Sequence, residues 1–285
     1  MRHFLLLIDS HAHIDSPRYA EDRAAMLARA WEAAVGAVLA IGIGEGPAEM
    51  HKTLEICREF NSLPQSGAGI PRLYASAGVY PHNTTEIDDA VLAKLDGLLA
   101  EPETIACGEI GLDYYHEGAP RDVQRQGLIR QMEIAAARKT PILIHCRPKD
   151  GATDAWDDLF EILEAHWQPT GLGGIMHCFG AGWEQARRSL DMGFLVSFAG
   201  NITYPKAQPL RDVAARMPLD GVLVETDAPW LAPVPDRGKR NEPAWVIHTA
   251  LVLAGLLGVE RGEIAAETTK NFQRLFHLQA DVGNW

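Results

Sequence analysis

Long apolar runs are missing from this 285-residue chain. None approaches the roughly 20 residues that a membrane-crossing helix needs, so no membrane partner is expected. The amino-terminal stretch MRHFLLLIDSHAH carries one Arg and a five-residue apolar run, then acidic and histidine residues. That run is too short for the core of a secretory signal, and we expect a cytoplasmic protein whose amino terminus belongs to the fold. Cysteine is scarce: Cys57, Cys107, Cys146 and Cys178 are the only four, and no two have CxxC spacing. A zinc ribbon and a thioredoxin-type motif are therefore excluded, and reduced thiols are expected. Positive charge is also in deficit, with 26 Lys and Arg against 38 Asp and Glu and a net charge of −12. Such a chain does not coat nucleic acid through its general field. A local site where bound cations supply the positive charge stays open to it.

Low-complexity segments and long linkers are absent too, so the whole chain, residues 1–285, reads as one domain. Short apolar runs alternate with stretches of helical periodicity. The candidate strands are Phe4–Asp9, Val35–Ile41, Arg72–Gly78, Thr104–Gly108, Pro141–His145, Gly173–His177, Phe194–Ser197 and Val222–Glu225. They are rich in Val, Ile, Leu and Phe with little alternation, the pattern of parallel strands covered on both faces. Helices are expected over Pro17–Ala34, Pro47–Phe60, Ile87–Ala100, Arg121–Lys139, Asp154–His166, Gly182–Met192 and Pro205–Met217, with Pro243–Leu257 and Arg261–Phe276 closing the chain. Eight strand–helix units predict an α/β fold, a (β/α)8 TIM barrel with additional C-terminal helices. An open doubly wound sheet is the alternative, but no GxGxxG follows the first strand.

Active sites of such barrels sit at the carboxyl ends of the strands. Strand one ends in Asp9-Ser10-His11-Ala12-His13, strand four in Gly108-Glu109, strand five in His145-Cys146-Arg147, strand six in His177-Cys178 and strand eight in Glu225-Thr226-Asp227. Residues two apart on an extended chain point the same way, so His11 and His13 converge on one divalent ion. Asp9 shares their parity and is a candidate partner for an imidazole nitrogen. His145 and His177 can hold a second ion, Glu109 can bridge the two, and Asp227, beside strand one where the barrel closes, can touch the first ion and face the attacking water. A lone HxH is a weak signal, a strand-end histidine is often a hydrogen-bonded core residue, and strand-end acids can be helix caps. The pattern of four histidines and two acids at one end of one barrel is what points to a binuclear metal site.

At these residues the sequence resembles the TatD family of metal-dependent deoxyribonucleases, within the amidohydrolase-like barrels. DSHAHID, GEIGLDYY, PILIHCR, MHCF, ETDAPWLAP, RNEP and TTKNFQRLF stand in the family's order along nearly the whole chain. The resemblance implies a metal-dependent phosphodiesterase whose metal ligands are His11, His13, Glu109, His145, His177 and Asp227, with Asp227 also the catalytic acid/base beside Glu109. It implies two divalent ions per chain, Mg2+ by resemblance, and single-stranded DNA or DNA ends as substrate, in some members by 3′-to-5′ exonuclease action. The His-rich ligand set suits Mn2+ or Zn2+ at least as well. The alternative is another hydrolase on the same site, an esterase, a lactonase or a D-aminoacyl-tRNA deacylase. Phosphotriesterase-type relatives bridge their metals with a modified lysine; Glu109 stands here instead, and the nearest upstream lysine, Lys94, is in a helix. The family's usual GxHPH reads Gly78-Val79-Tyr80-Pro81-His82 in this chain, so His82 is kept as a candidate substrate contact while Tyr80 replaces the first histidine.

Arg147 shares the parity of His145 and can hold a phosphate, or else pair with Asp150 or Asp154. The basic segment Arg237-Gly238-Lys239-Arg240 can meet a nucleic-acid backbone or be a solvated loop. Trp230 can stack on a base or plug the cleft. Parity places Cys146 and Cys178 outward in the helix layer and Cys107 inside the barrel below Glu109. His3, His51, His116, His166, His248 and His277 have no partner identifiable in the sequence and are expected on the surface or on helices. A monomer or weak oligomer is expected.

Overall fold

The computed structural model of the chain describes residues 6–63 and 69–278. Eight parallel strands lie in chain order in a single sheet: β1 (Leu7–Ala12), β2 (Val35–Ala40), β3 (Arg72–Ala77), β4 (Thr104–Asp113), β5 (Ile142–Arg147), β6 (Gly174–Met176), β7 (Phe194–Phe198) and β8 (Val222–Val224). Helices α1 (Arg23–Glu32), α2 (Lys52–Asn61), α3 (Asp89–Leu99), α4 (Arg121–Arg138), α5 (Asp154–His166), α6 (Trp183–Asp191) and α7 (Gln208–Ala214) connect them. After β8 come α8 (Val246–Leu257) and α9 (Arg261–Leu275). The architecture is the expected (β/α)8 barrel, with α8 completing the eighth unit and α9 additional. No single helix among the described residues is long and apolar enough to cross a membrane. The part of the first expected strand at Phe4 and Leu5 lies outside the described residues.

Several expected helices began at a proline, and the structure moves those starts. Pro17, Pro47 and Pro243 open single 3-10 turns (Pro17–Tyr19, Pro47–Glu49 and Pro243–Trp245), and the α-helices follow a few residues later. A proline lacks the N–H that a helix interior must donate, so it suits an opening turn. Elsewhere the ends are conventional. The Asp88 side chain accepts the Val91 N–H at 2.8 Å to cap α3, and Gly258, at φ 70°, ends α8 in the left-handed conformation.

The sheet closes weakly in its ladder and strongly through side chains. β1 and β8 share one parallel bridge, Ala12 to Ala228. Around it the Asp227 N–H donates to His11 O at 3.0 Å and the His13 N–H to Ala228 O at 2.8 Å. Ser10 Oγ donates to Val224 O at 3.0 Å. Asp9, fully buried, accepts the Thr226 N–H at 2.9 Å and the Thr226 hydroxyl at 2.5 Å. It therefore clamps the exit of β8 onto β1 and does not serve an imidazole nitrogen as parity suggested. Burial pushes its carboxyl up to about 8.

Inside the barrel, Ile8, Leu39, Tyr74, Leu143, Ile175, Leu195 and Leu223 form an apolar core. Phe272 and Phe276 of α9 pack against the same cluster, with ring centroids 4.7 Å apart. α9 lies across the amino ends of the strands: Thr269 donates to Leu6 O and Asn271 donates to Val222 O. That end is thus sealed by aromatic rings. A second and larger cluster fills the space between strands and helices.

Strand β4 carries the irregularity that matters most for function. Its pairing with β5 runs Cys107 to Ile142 and then Ile110 to Ile144, three steps on one strand against two on the other. The extra residue is a bulge, and it reverses parity. Cys107 consequently faces the helix layer, near Gln131 of α4, and not the barrel interior where unbroken alternation put it. Glu109 and Asp113 turn inward beyond it. β1 repeats the device, with Asp9 to Ala12 spanning Val38 to Ala40 of β2.

Candidate metal centre

The six side chains read as ligands meet at the carboxyl end of the barrel. His11 Nε2 lies 3.2 Å from His13 Nε2, 3.4 Å from Glu109 Oε2 and 3.8 Å from Asp227 Oδ1. His13 Nε2 lies 3.7 Å from Glu109 Oε2 and 3.5 Å from Asp227 Oδ1. Ligands at about 2.0–2.2 Å from one tetrahedral ion stand about 3.3–3.6 Å apart, so His11, His13 and Glu109 have close to the spacing of a coordination shell, with Asp227 3.5–3.8 Å from both imidazoles. The other oxygen, Glu109 Oε1, is 2.8 Å from His145 Nδ1 and 2.8 Å from His177 Nε2. Those two nitrogens are 3.4 Å apart. Glu109 therefore offers one oxygen to each cluster. His11, His177 and Asp227 also bring ligand atoms within 4.8 Å of one another. Two deprotonated acids and four histidines with convergent nitrogens are the donor set that a pair of divalent ions requires, and the residues fit.

Two of the candidate ligands, His177 and His145, have a carboxylate behind them. His177 Nδ1 is 3.2 Å from Glu225 Oε1, which also accepts the Cys178 N–H at 2.8 Å. His145 Nε2 is 3.3 Å from Asp113 Oδ2 and 3.2 Å from the Tyr80 hydroxyl. The rings of His11 and His177 stack at 3.8 Å. A carboxylate behind an imidazole fixes its tautomer and strengthens it as a ligand. Glu225, Asp113 and Tyr80 received no role from the sequence. Parity held a signal for two of them: Glu225 is two residues before Asp227, and Asp113 is four after Glu109.

The electrostatics follow from burial and opposite charge in contact. Burial alone would raise Glu109, but the His177 charge and hydrogen bonds from His11, His145 and His177 hold it well below the carboxylate range. Burial also opposes ionisation of Asp227, and His13 and His177 outweigh it, so this carboxyl is lowered. Desolvation disfavours a charged His177, yet Glu109 and Glu225 raise it well above the usual imidazole value. His11 goes the other way: burial and the nearby His177 charge lower it.

The backbone around the centre is unusual as well. Asp227, Cys178 and Leu231 adopt left-handed conformations with φ of 54°, 45° and 53°. Such residues cost of order 1–3 kcal/mol each and gather at functional sites. Gly111, at φ 147°, has no room for a side chain: a Cβ there would sit 1.9 Å from His145 O. Close approach of β4 and β5 at this level needs that glycine.

Above the ligands opens a cavity of about 670 Å3, lined among others by Glu109, His145, His177, Asp227, Arg147 and Trp230. Trp230 is 49 % exposed and meets the His13 ring edge-on at 4.9 Å, a wall residue of the mouth and no buried plug. Arg147 pairs with neither Asp150 nor Asp154; its guanidinium lies 4.1 Å over the Tyr115 ring, and Asp154 pairs with Arg121. His82 sits beside Asp113, at 3.2 Å from Oδ2, and joins His116 there. His116 is thus a wall residue of the cavity, a role the sequence did not suggest. Cys146 packs against the strand–helix cluster as parity predicts and also borders the cavity, whereas Cys178, at φ 45°, lines the cavity where parity had turned it outward. The basic segment is largely neutralised: Arg240 pairs with Asp22 at 2.7 Å, Lys239 with Asp236 at 2.7 Å, and Arg237 stacks on Tyr204.

Comparison with known proteins agrees with this picture. A family model described as TatD related DNase matches residues 8–277. The chain is 37% identical over 279 residues to the uncharacterized metal-dependent hydrolase YcfH of Escherichia coli K12, covering 97% of each chain. It is 30% identical over 277 residues to the 3′-5′ ssDNA/RNA exonuclease TatD of Erwinia tasmaniensis, covering 95% of this chain and 100% of that one. Among solved structures, YjjV, a TatD homolog from Escherichia coli K12, superposes with a TM-score of 0.82 at 29% identity, over 96% of this chain and 99% of that one.

Proposed function

The chain belongs to the family of TatD-related DNases, and from that premise we propose that it hydrolyses phosphodiester bonds in single-stranded DNA or at DNA ends, with 3′-to-5′ exonuclease action as the expected mode. It is a metal-dependent hydrolase by kinship. The observation that carries the finer reading is the shared carboxylate: both oxygens of Glu109 face nitrogen clusters, one toward His11 and His13, the other toward His145 and His177.

In this reading His11, His13, Glu109 and Asp227 hold one divalent ion, and Glu109, His145 and His177 hold a second. When bound, such a pair makes a water more acidic and neutralises charge on the phosphoryl oxygens in flight. The protein's own groups do the rest. Asp227, deprotonated and 15 % exposed toward the cavity, takes the proton of the attacking water and returns one to the leaving oxygen. Arg147, held flat by Tyr115 on the cavity wall, binds phosphate oxygens of the substrate, while His82, expected beside it from the sequence, is turned toward Asp113. Trp230 offers a face on which a base can stack. The net charge of −12 gives no general attraction for DNA, so these few groups and the bound cations must supply it locally.

The test is substrate release. Purified protein is incubated with end-labelled single-stranded DNA and, separately, with a D-aminoacyl-tRNA, in Mg2+ or Mn2+ and then in EDTA. Metal-dependent release of nucleotides is expected. Release of amino acid alone would replace the nuclease by an esterase-type hydrolase on the same centre.

A further inference from the structure

On the wall of the same cavity a second cluster of ligating groups surrounds Asp113. The carboxylate's two oxygens are used very differently. Oδ1 accepts the backbone N–H groups of Tyr115 at 2.9 Å and His116 at 3.0 Å, which fills it. Oδ2 is approached by four groups: His116 Nδ1 at 2.8 Å, His82 Nε2 at 3.2 Å, His145 Nε2 at 3.3 Å and the Tyr80 hydroxyl at 3.3 Å. An oxygen of a carboxylate has about two lone-pair sites, so four donors are more than it can serve. The mismatch is visible in His82, whose Nε2 is buried without a hydrogen-bond partner although it points at a carboxylate oxygen. A buried polar atom left in that state calls for a missing partner.

A cation resolves the excess. If His82 and His116 are neutral, their Nε2 and Nδ1 become co-ligands with Oδ2 in place of competing donors. The three atoms lie within 4.8 Å of one another. The remaining two groups, His145 Nε2–H and the Tyr80 hydroxyl, are then a normal complement for Asp113. The loop after β4 is shaped for this meeting. Gly118 packs on the His82 ring so closely that a Cβ would lie 2.8 Å from His82 Cδ2, and the rings of His82 and His116 meet edge to face at 5.5 Å.

We propose that His82, Asp113 and His116 form a further divalent-cation site, distinct from the cluster around Glu109. Two imidazoles and one carboxylate suit a borderline ion of the zinc or manganese type better than magnesium. Three protein ligands leave an open position, and His116 lines the cavity, so that position receives an anionic oxygen of whatever occupies the cavity. The site stands on its own geometry and does not depend on the substrate being nucleic acid.

The test counts ions by difference. The protein and its His116→Ala and His82→Ala variants are stripped with EDTA, reloaded with Zn2+, desalted, and analysed for zinc per chain. Each variant is expected to hold one ion fewer than the parent, whatever the parent's total and whether or not it cleaves DNA. Equal zinc content in all three would overturn the proposal. A zinc-loaded crystal of the unaltered protein supplies a check that needs no variant. An anomalous peak between His82 Nε2, Asp113 Oδ2 and His116 Nδ1 is expected, and its absence while the Glu109 cluster is filled would equally overturn it.

Discussion

The two ends of this barrel are built from opposite materials. At the amino end Phe272 and Phe276 of α9 close the core with aromatic rings, and Ile8, Leu223 and their neighbours complete an apolar plug. At the carboxyl end, some of the most buried side chains are His11, Glu109, Asp113 and Glu225, all ionisable. Burying apolar surface stabilises by about 25 cal/mol per Å2, whereas burying charge is unfavourable unless every charge has a partner. One end therefore supplies stability and the other consumes it, and left-handed Asp227, Cys178 and Leu231 add backbone strain at the second, as the turn residues Ala34 and Lys139 do below β2 and β5. A barrel whose lower half is sealed by hydrocarbon can hold an uncomfortable cluster of acids and imidazoles at its rim.

Perturbations at the two ends should separate cleanly. Removing divalent metal with EDTA is expected to abolish hydrolysis and leave far-ultraviolet circular dichroism unchanged; folded, metal-free protein that still turns over substrate would break the contrast. Asp227→Asn removes a proton acceptor and weakens one ligand. It should lower kcat by about 10²–10⁴-fold with little change in thermal midpoint, read from steady-state kinetics and calorimetry. Phe272→Ala acts at the other end: a loss of about 3–5 kcal/mol is expected in denaturant unfolding, while the metal content of the folded protein stays at the parent's value. Glu225→Gln keeps a hydrogen-bonding atom behind His177 but removes its charge. Titration should show metal affinity reduced by about 10–100-fold. The smallest effect belongs to neither end. Arg187→Ala deletes exposed ion pairs to Glu184 and Asp191 and should shift neither midpoint nor rate measurably.

The two ends also differed in how well the sequence displayed them. Apolar runs announced β2, β3 and β7 almost to their limits, because parallel strands covered on both faces are continuous hydrocarbon. The candidate ligand residues were legible for a related reason: a histidine or acid stands where five of the eight apolar runs stop. Where that rule ended, so did the reading. β4 was expected to finish at Gly108, yet it continues to Asp113 through Glu109 and Gly111. Polar residues and glycines facing a cavity do not look like strand, and Asp113 with its neighbour His116 was lost with them. Parity misled at Cys107 and Asp9, which both lie beside bulges that insert one residue into a strand, and at Cys178, where a left-handed residue breaks the alternation. No composition signal marks a bulge, because it is a property of two strands together. The basic run at Arg237–Arg240 misled differently: Asp22 lies 218 residues away from Arg240 and only the fold brings it near.

The proposed chemistry needs one carboxylate shared by two cations, and anomalous scattering from a crystal grown with Mn2+ tests that directly. Two strong peaks are predicted at the carboxyl end of the barrel, each within about 2.0–2.3 Å of a different oxygen of Glu109, one flanked by His11 and His13 and the other by His145 and His177. A single peak, or two peaks of which one does not touch Glu109, would contradict it.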